Sequence, residues 1–174
     1  MAQSATTVHA SAVLVSARAV LIRGPSGAGK SRLALALIDA ARTGTLRFAR
    51  LVGDDRVHLE PVNGRLLVRP AEALAGLIEI RGVGIRRLDH EPRAVVGLLV
   101  DLAAADAERL PETERQHAVI AGISLPRLAI AAGAEALPAV LTVLTRAALK
   151  VPFWRLSRFL SISGRPAPDL VGDW

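Results

Sequence analysis

One eight-residue stretch limits this chain more than any other: Gly24-Pro25-Ser26-Gly27-Ala28-Gly29-Lys30-Ser31. It meets the pattern G-x-x-x-x-G-K-[ST] at every fixed position. The spacing has a physical cause. Glycines let the backbone curl until successive amides point inward as a nest for an anion. A helix that begins on the last glycine adds its positive end. Lys30 brings a mobile charge for the β- and γ-phosphates, and the Ser31 hydroxyl is a ligand for Mg²⁺. The flanks agree, with an apolar strand from Ala19 to Ile22 and an Ala/Leu-rich helix from Ser31 to Ala41. Lys30 is also one of only two lysines in an Arg-rich chain. The loop therefore reads as a nucleotide site. ATPases, GTPases, kinases and phosphorylases all use such a loop, so the reaction must be sought elsewhere.

Strands and helices alternate around the loop, which indicates a single α/β domain over 1–150. Residues 12–22 read as two short strands with a turn near Ser16 to Arg18. Residues 48–52 read as a buried strand ending at Gly53-Asp54-Asp55. Val57, Leu59, Leu66 and Val68 flank Asn63-Gly64, a strong hairpin signal. One helical turn is expected over 70–75. The run LIEIRGVGI, 77–85, is apolar with two charges and two glycines inside it. Residues 94–102 read as a buried strand ending at Asp101, and a polar segment follows it. Two short strands are expected around Pro126, then a helix over 133–150 with Pro138 in its first turns. Residues 151–174 hold both tryptophans and two of the three phenylalanines, and form a tail of unknown role.

Phosphoryl transfer needs a carboxylate near the metal and a group that orients or deprotonates the acceptor. Asp101 ends an apolar strand, as a Walker B aspartate does, or it is a strand-end cap. Asp54 and Asp55 offer more. In an extended segment neighbouring side chains point to opposite sides, so one can face a metal and the other an acceptor hydroxyl. Glu79 lies in an apolar run that reads as a strand, and Arg81 follows on the same strand face. A carboxylate there needs a partner, either an ion pair with Arg81 or a metal or phosphate contact. His9 precedes a strand. His58, His90 and His117 show no metal-binding spacing and read as structural or exposed.

Assembled, these segments resemble the catalytic C-terminal domain of the HPr kinase/phosphorylase family. The resemblance rests on Val8-His9-Ala10-Ser11, GPSGAGKSRLALALI, LVGDDRV and LIEIRGVGI, four ordered motifs over residues 8–86, and it thins from about 94 to 149. It implies a P-loop domain with a mixed sheet, like the phosphoenolpyruvate carboxykinase fold. It implies ATP- and Mg²⁺-dependent phosphorylation of a serine on HPr, a phosphocarrier of the phosphotransferase system. By the same resemblance, Lys30 and the loop amides hold the nucleotide. Ser31 and Glu79 are Mg²⁺ ligands, with Asp54 beside them. Asp55 is the general base and His9 assists it. Arg109, in Glu108-Arg109-Leu110, corresponds to a catalytic arginine. A homo-oligomer, a hexamer, is implied as well. The chain starts almost at the catalytic core, as in the short form seen in some proteobacteria. The family's Pro-Gly-Arg-Asn segment is missing after Leu125-Pro126-Arg127-Leu128, which puts the reverse, phosphorylase reaction in doubt.

Composition trims the alternatives. At 51% hydrophobic residues the chain can bury a core, and the 3% aromatics leave that core to Ala, Leu, Val and Ile. Without cysteine it has neither disulfides nor thiolate metal sites. No run of 18 apolar residues and no leader pattern is present, so no membrane association and a cytoplasmic location are expected. The net charge of +6 comes from scattered arginines with no nucleic-acid motif, so no nucleic acid partner is expected. Arg81, Arg86 and Arg87 face either an acidic protein substrate or solvent. Two other functions stay open on the residues alone. One is a small-molecule kinase or nucleotide hydrolase with Asp101 at the metal, and the other a nucleotide-binding regulator without catalysis.

Overall fold

In the computed structural model, which describes residues 6–148, the apolar runs become strands of a mixed sheet with helices on one face. The chain runs through β1 (Thr6–Val8), β2 (Ser11–Val15), β3 (Arg18–Arg23), α1 (Lys30–Arg42) and β4 (Ala49–Gly53). It continues through β5 (Val57–Val62), β6 (Arg65–Pro70), β7 (Leu77–Ile80), β8 (Gly84–Arg87) and β9 (Ala94–Leu102). It ends with β10 (His117–Ile120), β11 (Ile123–Ile130) and α2 (Ala136–Ala148). The expected helical turn forms at Glu72–Leu74. The expected tail, 151–174, lies outside the described residues.

The main sheet has the order β1-β5-β6-β9-β3-β2-β4, and β11 brings the β10–β11 hairpin to β9. β3 and β11 run parallel to β9, and the other pairs are antiparallel. The mixed α/β architecture expected from the sequence is therefore the one observed. β9 is its pivot. One edge pairs with β3, while the other pairs first with β6 and then, from Leu99, with β11. The change of partner follows a register slip at Gly97, where Ala19 faces Val96 but Val20 faces Leu98. A one-residue slip turns side chains to the other face. Val96 accordingly packs in one core, and Leu98, Val100 and Leu102 in the other. A Cβ at Gly97 would stand 2.6 Å from the Arg18 Cβ, so only glycine fits the slip.

The same alternation separates two cores across the sheet. Val13, Val20, Ile22 and Leu51 meet Leu33, Leu37 and Val140 of the helices. Ala12, Leu21, Val57, Leu66 and Leu99 fill the opposite face. Asn63 and Gly64 take left-handed angles in the two-residue turn between β5 and β6, as the sequence indicates.

Two expectations need correction. The second hairpin does not turn at Pro126. It turns at Ala121-Gly122, both left-handed, and Pro126 lies inside β11 opposite His117. Proline survives there because β11 joins β9 only from Arg127 onward, so the missing N–H removes no bond to that strand. The run 77–85 is also not one strand. It folds back as the β7–β8 hairpin, a separate two-stranded sheet, with Arg81 in the turn.

Candidate functional site

The loop begins where β3 ends. Gly24 lies against the end of β9, where a Cβ would stand 2.8 Å from the Leu102 carbonyl oxygen, with φ at 149°. Neither the contact nor the angle suits a side chain. At the other end Gly29 is left-handed, with φ 95°, and no side chain caps the helix. The first amides of α1 are thus left for a ligand. Lys30 is 7% exposed, and its ammonium donates to the carbonyls of Gly24 at 2.9 Å and Pro25 at 3.0 Å. The charge sits across the mouth of its own loop.

Beside this loop is a cavity of about 590 Å³, the size of a small-ligand site. The loop from Ser26 into α1 forms one wall. His9, Asp54, Asp55, Glu79 and Arg81 close the rest. Most of the expected site residues therefore meet in one place.

Asp54 and Asp55 follow β4 with opposite surroundings, though through a left-handed bend at Asp55 and not through the extended alternation expected. Asp54 is 3% exposed. Its carboxylate accepts from Ser31 Oγ at 2.9 Å, from Ser11 Oγ at 2.5 Å and from the Glu79 N–H at 3.3 Å. Asp55 takes φ 66°, a left-handed angle that Asp tolerates better than most side chains. Its carboxylate turns outward and lies 3.0 Å from His9 Nε2. Both members of this pair are more than half exposed, so an incoming group can reach them.

Glu79 projects from β7 into the cavity, and no ion pair joins it to Arg81. Arg81 instead stands over the loop, with its guanidinium Nη2 3.7 Å from where a Gly27 Cβ would be. It adds a cation to the phosphate loop that the sequence reading did not assign there. Only the turn that lifts it off the Glu79 strand could have indicated this.

Two other residues are not brought in. Arg109 is exposed in the segment after β9 and is not part of the cavity wall. Asp101 is held elsewhere. It accepts from Arg23 Nε at 2.8 Å and Nη2 at 2.9 Å, and from Arg127 Nε at 2.6 Å. Arg127 also donates twice to Asp106. Burial alone would raise the Asp101 pKa, but the hydrogen bonds and charges of both arginines overcome it and hold the carboxyl below its ordinary value. The Asp106 hydrogen bonds in turn raise the Arg127 pKa, against burial and with help from Asp101. Asp101 is thus the hub of an ion cluster with Arg23 and Arg127, away from the cavity. His58, His90 and His117 lie away from the cavity, and His58 pairs with Thr7.

Ser31, Asp54 and Glu79 give the cavity oxygen donors, which suit a hard cation such as Mg²⁺. Among the described residues no group of three or more His, Asp or Glu forms a cage. Mg²⁺ is usually held by one or two carboxylates plus phosphates and water, so this partial set fits. Among the described residues no helix is long and apolar enough to cross a membrane.

Residues 1–143 match the model of the HPr Serine kinase C-terminal domain. HPr kinase/phosphorylase of Geobacillus thermodenitrificans is 35% identical over 136 residues, covering 72% of this chain and 42% of that protein. The same-named protein of Streptococcus thermophilus is 47% identical over 81 residues, or 46% of this chain and 24% of its own length. The chain thus matches less than half of the length of these relatives. Among solved structures, the Hpr(Ser) kinase/phosphatase from Coxiella burnetii aligns with a TM-score of 0.66 at 26% identity, covering 83% of this chain and 97% of that one.

Proposed function

The chain belongs to the HPr serine kinase C-terminal domain family, and from that premise we propose that it transfers the γ-phosphoryl group of ATP to a serine of an HPr-like phosphocarrier protein. The observation that carries the reading is the division of labour in Asp54-Asp55: one carboxylate buried on the loop serine, the next exposed beside a histidine.

The loop amides, Lys30 and Arg81 bind and orient the triphosphate. Ser31, Asp54 and Glu79 would hold Mg²⁺, which when bound screens the phosphate charge. Asp55 accepts the proton of the substrate serine hydroxyl. The serine oxygen then forms its bond to the γ-phosphorus while the bond to the β,γ-bridging oxygen breaks, and ADP leaves. His9 donates to Asp55 and keeps that carboxylate aimed at the acceptor. These roles need only residues that meet in the cavity, and the forward, kinase direction is the one proposed. Arg109 carries no role in this scheme.

The test is a transfer assay with γ-labelled ATP, Mg²⁺ and HPr from the same genome. Wild type should label a serine of HPr. Asp55→Asn should bind ATP as wild type does but lose about 10²–10⁴ in kcat, the usual contribution of a general base. Lys30→Ala should lose nucleotide affinity as well. Tight ATP binding with no labelled HPr would leave a binding-only regulator and end the kinase reading.

A further inference from the structure

Ser11 has no part in the scheme above, yet it is the most enclosed polar side chain at the site. It is 0% exposed, between two fully buried alanines, at the start of β2. A hydroxyl in such a place must find a partner, and a backbone carbonyl would suffice. It donates instead to the Asp54 carboxylate at 2.5 Å. The same carboxylate accepts the Ser31 hydroxyl proton at 2.9 Å on either oxygen. A serine hydroxyl has one proton and two lone pairs. With its proton committed to Asp54, Ser31 has both lone pairs left for another partner.

We infer that Ser11 is a positioning residue for divalent-cation binding: it fixes Asp54, and Asp54 orients the Ser31 hydroxyl as an oxygen ligand. In this arrangement Asp54 serves the cation also through Ser31, and the chain Ser11–Asp54–Ser31 ties the phosphate loop to the buried strand β2. Partners one step behind a ligand typically matter by roughly 10–100-fold in metal affinity. The inference rests on the cavity's being a divalent-nucleotide site.

The test is Mn²⁺ binding followed by electron paramagnetic resonance, in the presence of a non-hydrolysable ATP analogue. Wild type, Ser11→Ala, Asp54→Asn and the double variant are compared. Binding of the analogue alone, in chelator, is measured in parallel. Ser11→Ala is expected to weaken Mn²⁺ binding about 10-fold or more. Analogue binding in chelator should stay within twofold, because the loop and Lys30 are untouched. In the double variant the two losses should not multiply, since both act through one carboxylate. Three results would overturn the inference: unchanged Mn²⁺ affinity in Ser11→Ala, an equal loss in chelator, or losses that multiply. A wild type that binds the analogue with no cation dependence would overturn the site reading itself, and the inference with it.

Discussion

Asp101→Asn separates two accounts of the same residue. As a metal aspartate it would be lost from turnover and hardly missed in stability. As the hub between Arg23 and Arg127 it should show the reverse order. The Asp101 and Arg127 side chains are 13% and 14% exposed, so the cluster's centre is largely out of water. Breaking a buried ion pair costs about 3–5 kcal/mol because the partner charge is left uncompensated. Here Arg127 keeps Asp106, and Arg23 is 38% exposed and can rehydrate, so about 2–3 kcal/mol is the better figure. For a domain of this size that is roughly 6–9 °C in Tm. The pH dependence has a definite sign. The folded pKa lies below the ordinary 3.8, so the stabilisation is present above that value and fades as pH falls through the lower one. Thermal melts of wild type and variant should therefore differ by a constant amount from pH 5 to 8 and converge in more acid solution. A drop under 2 °C at neutral pH, with turnover abolished, would refute the cluster account and restore Asp101 as a metal ligand.

Gly97→Ala should lower stability by about 1–3 kcal/mol, the usual cost of overpacking, because its Cβ meets Arg18 at 2.6 Å; denaturant unfolding reads this directly. Arg81→Ala should weaken ATP binding about tenfold by calorimetry while leaving the melting temperature unchanged, since a charge-assisted phosphate contact is worth about 1.5–3 kcal/mol and the residue is exposed.

The parts of the fold that the sequence made legible are those with a local cause. Asn63-Gly64 dictates its turn by backbone preference alone, and the phosphate loop dictates its helix by the glycine at the start. The parts that were not legible depend on distant partners. Pro126 looks like a turn residue, and only the position at which β11 joins β9 makes it acceptable within a strand. Asp101 has a local pattern like that of a metal aspartate: the apolar run Leu98-Leu99-Val100 and then a carboxylate. What decides its role is two arginines, 78 and 26 residues away in sequence. Arg81 was read with Glu79 because an unbroken strand would place them on one face, and the hairpin turn removes that premise.

The pairing of His9 and Ser11 with two adjacent aspartates shows how little separates the roles. The segment entering β2 presents exposed His9 to Asp55 and buried Ser11 to Asp54. Asp54 turns inward, and Asp55, in a left-handed conformation with φ 66°, turns outward. The strand that leads to them slips in register against β2, where Ala12 faces Gly53 but Val13 faces Leu51. Val52 is the extra residue, buried in the core opposite α1. A one-residue slip inverts the facing of the strand that follows it. The facing with which the chain leaves β4 toward Asp54 and Asp55 therefore depends on a single unpaired residue in that strand. No local motif marks Val52, which is why the order of the two carboxylates follows from packing and not from the Asp-Asp pattern itself.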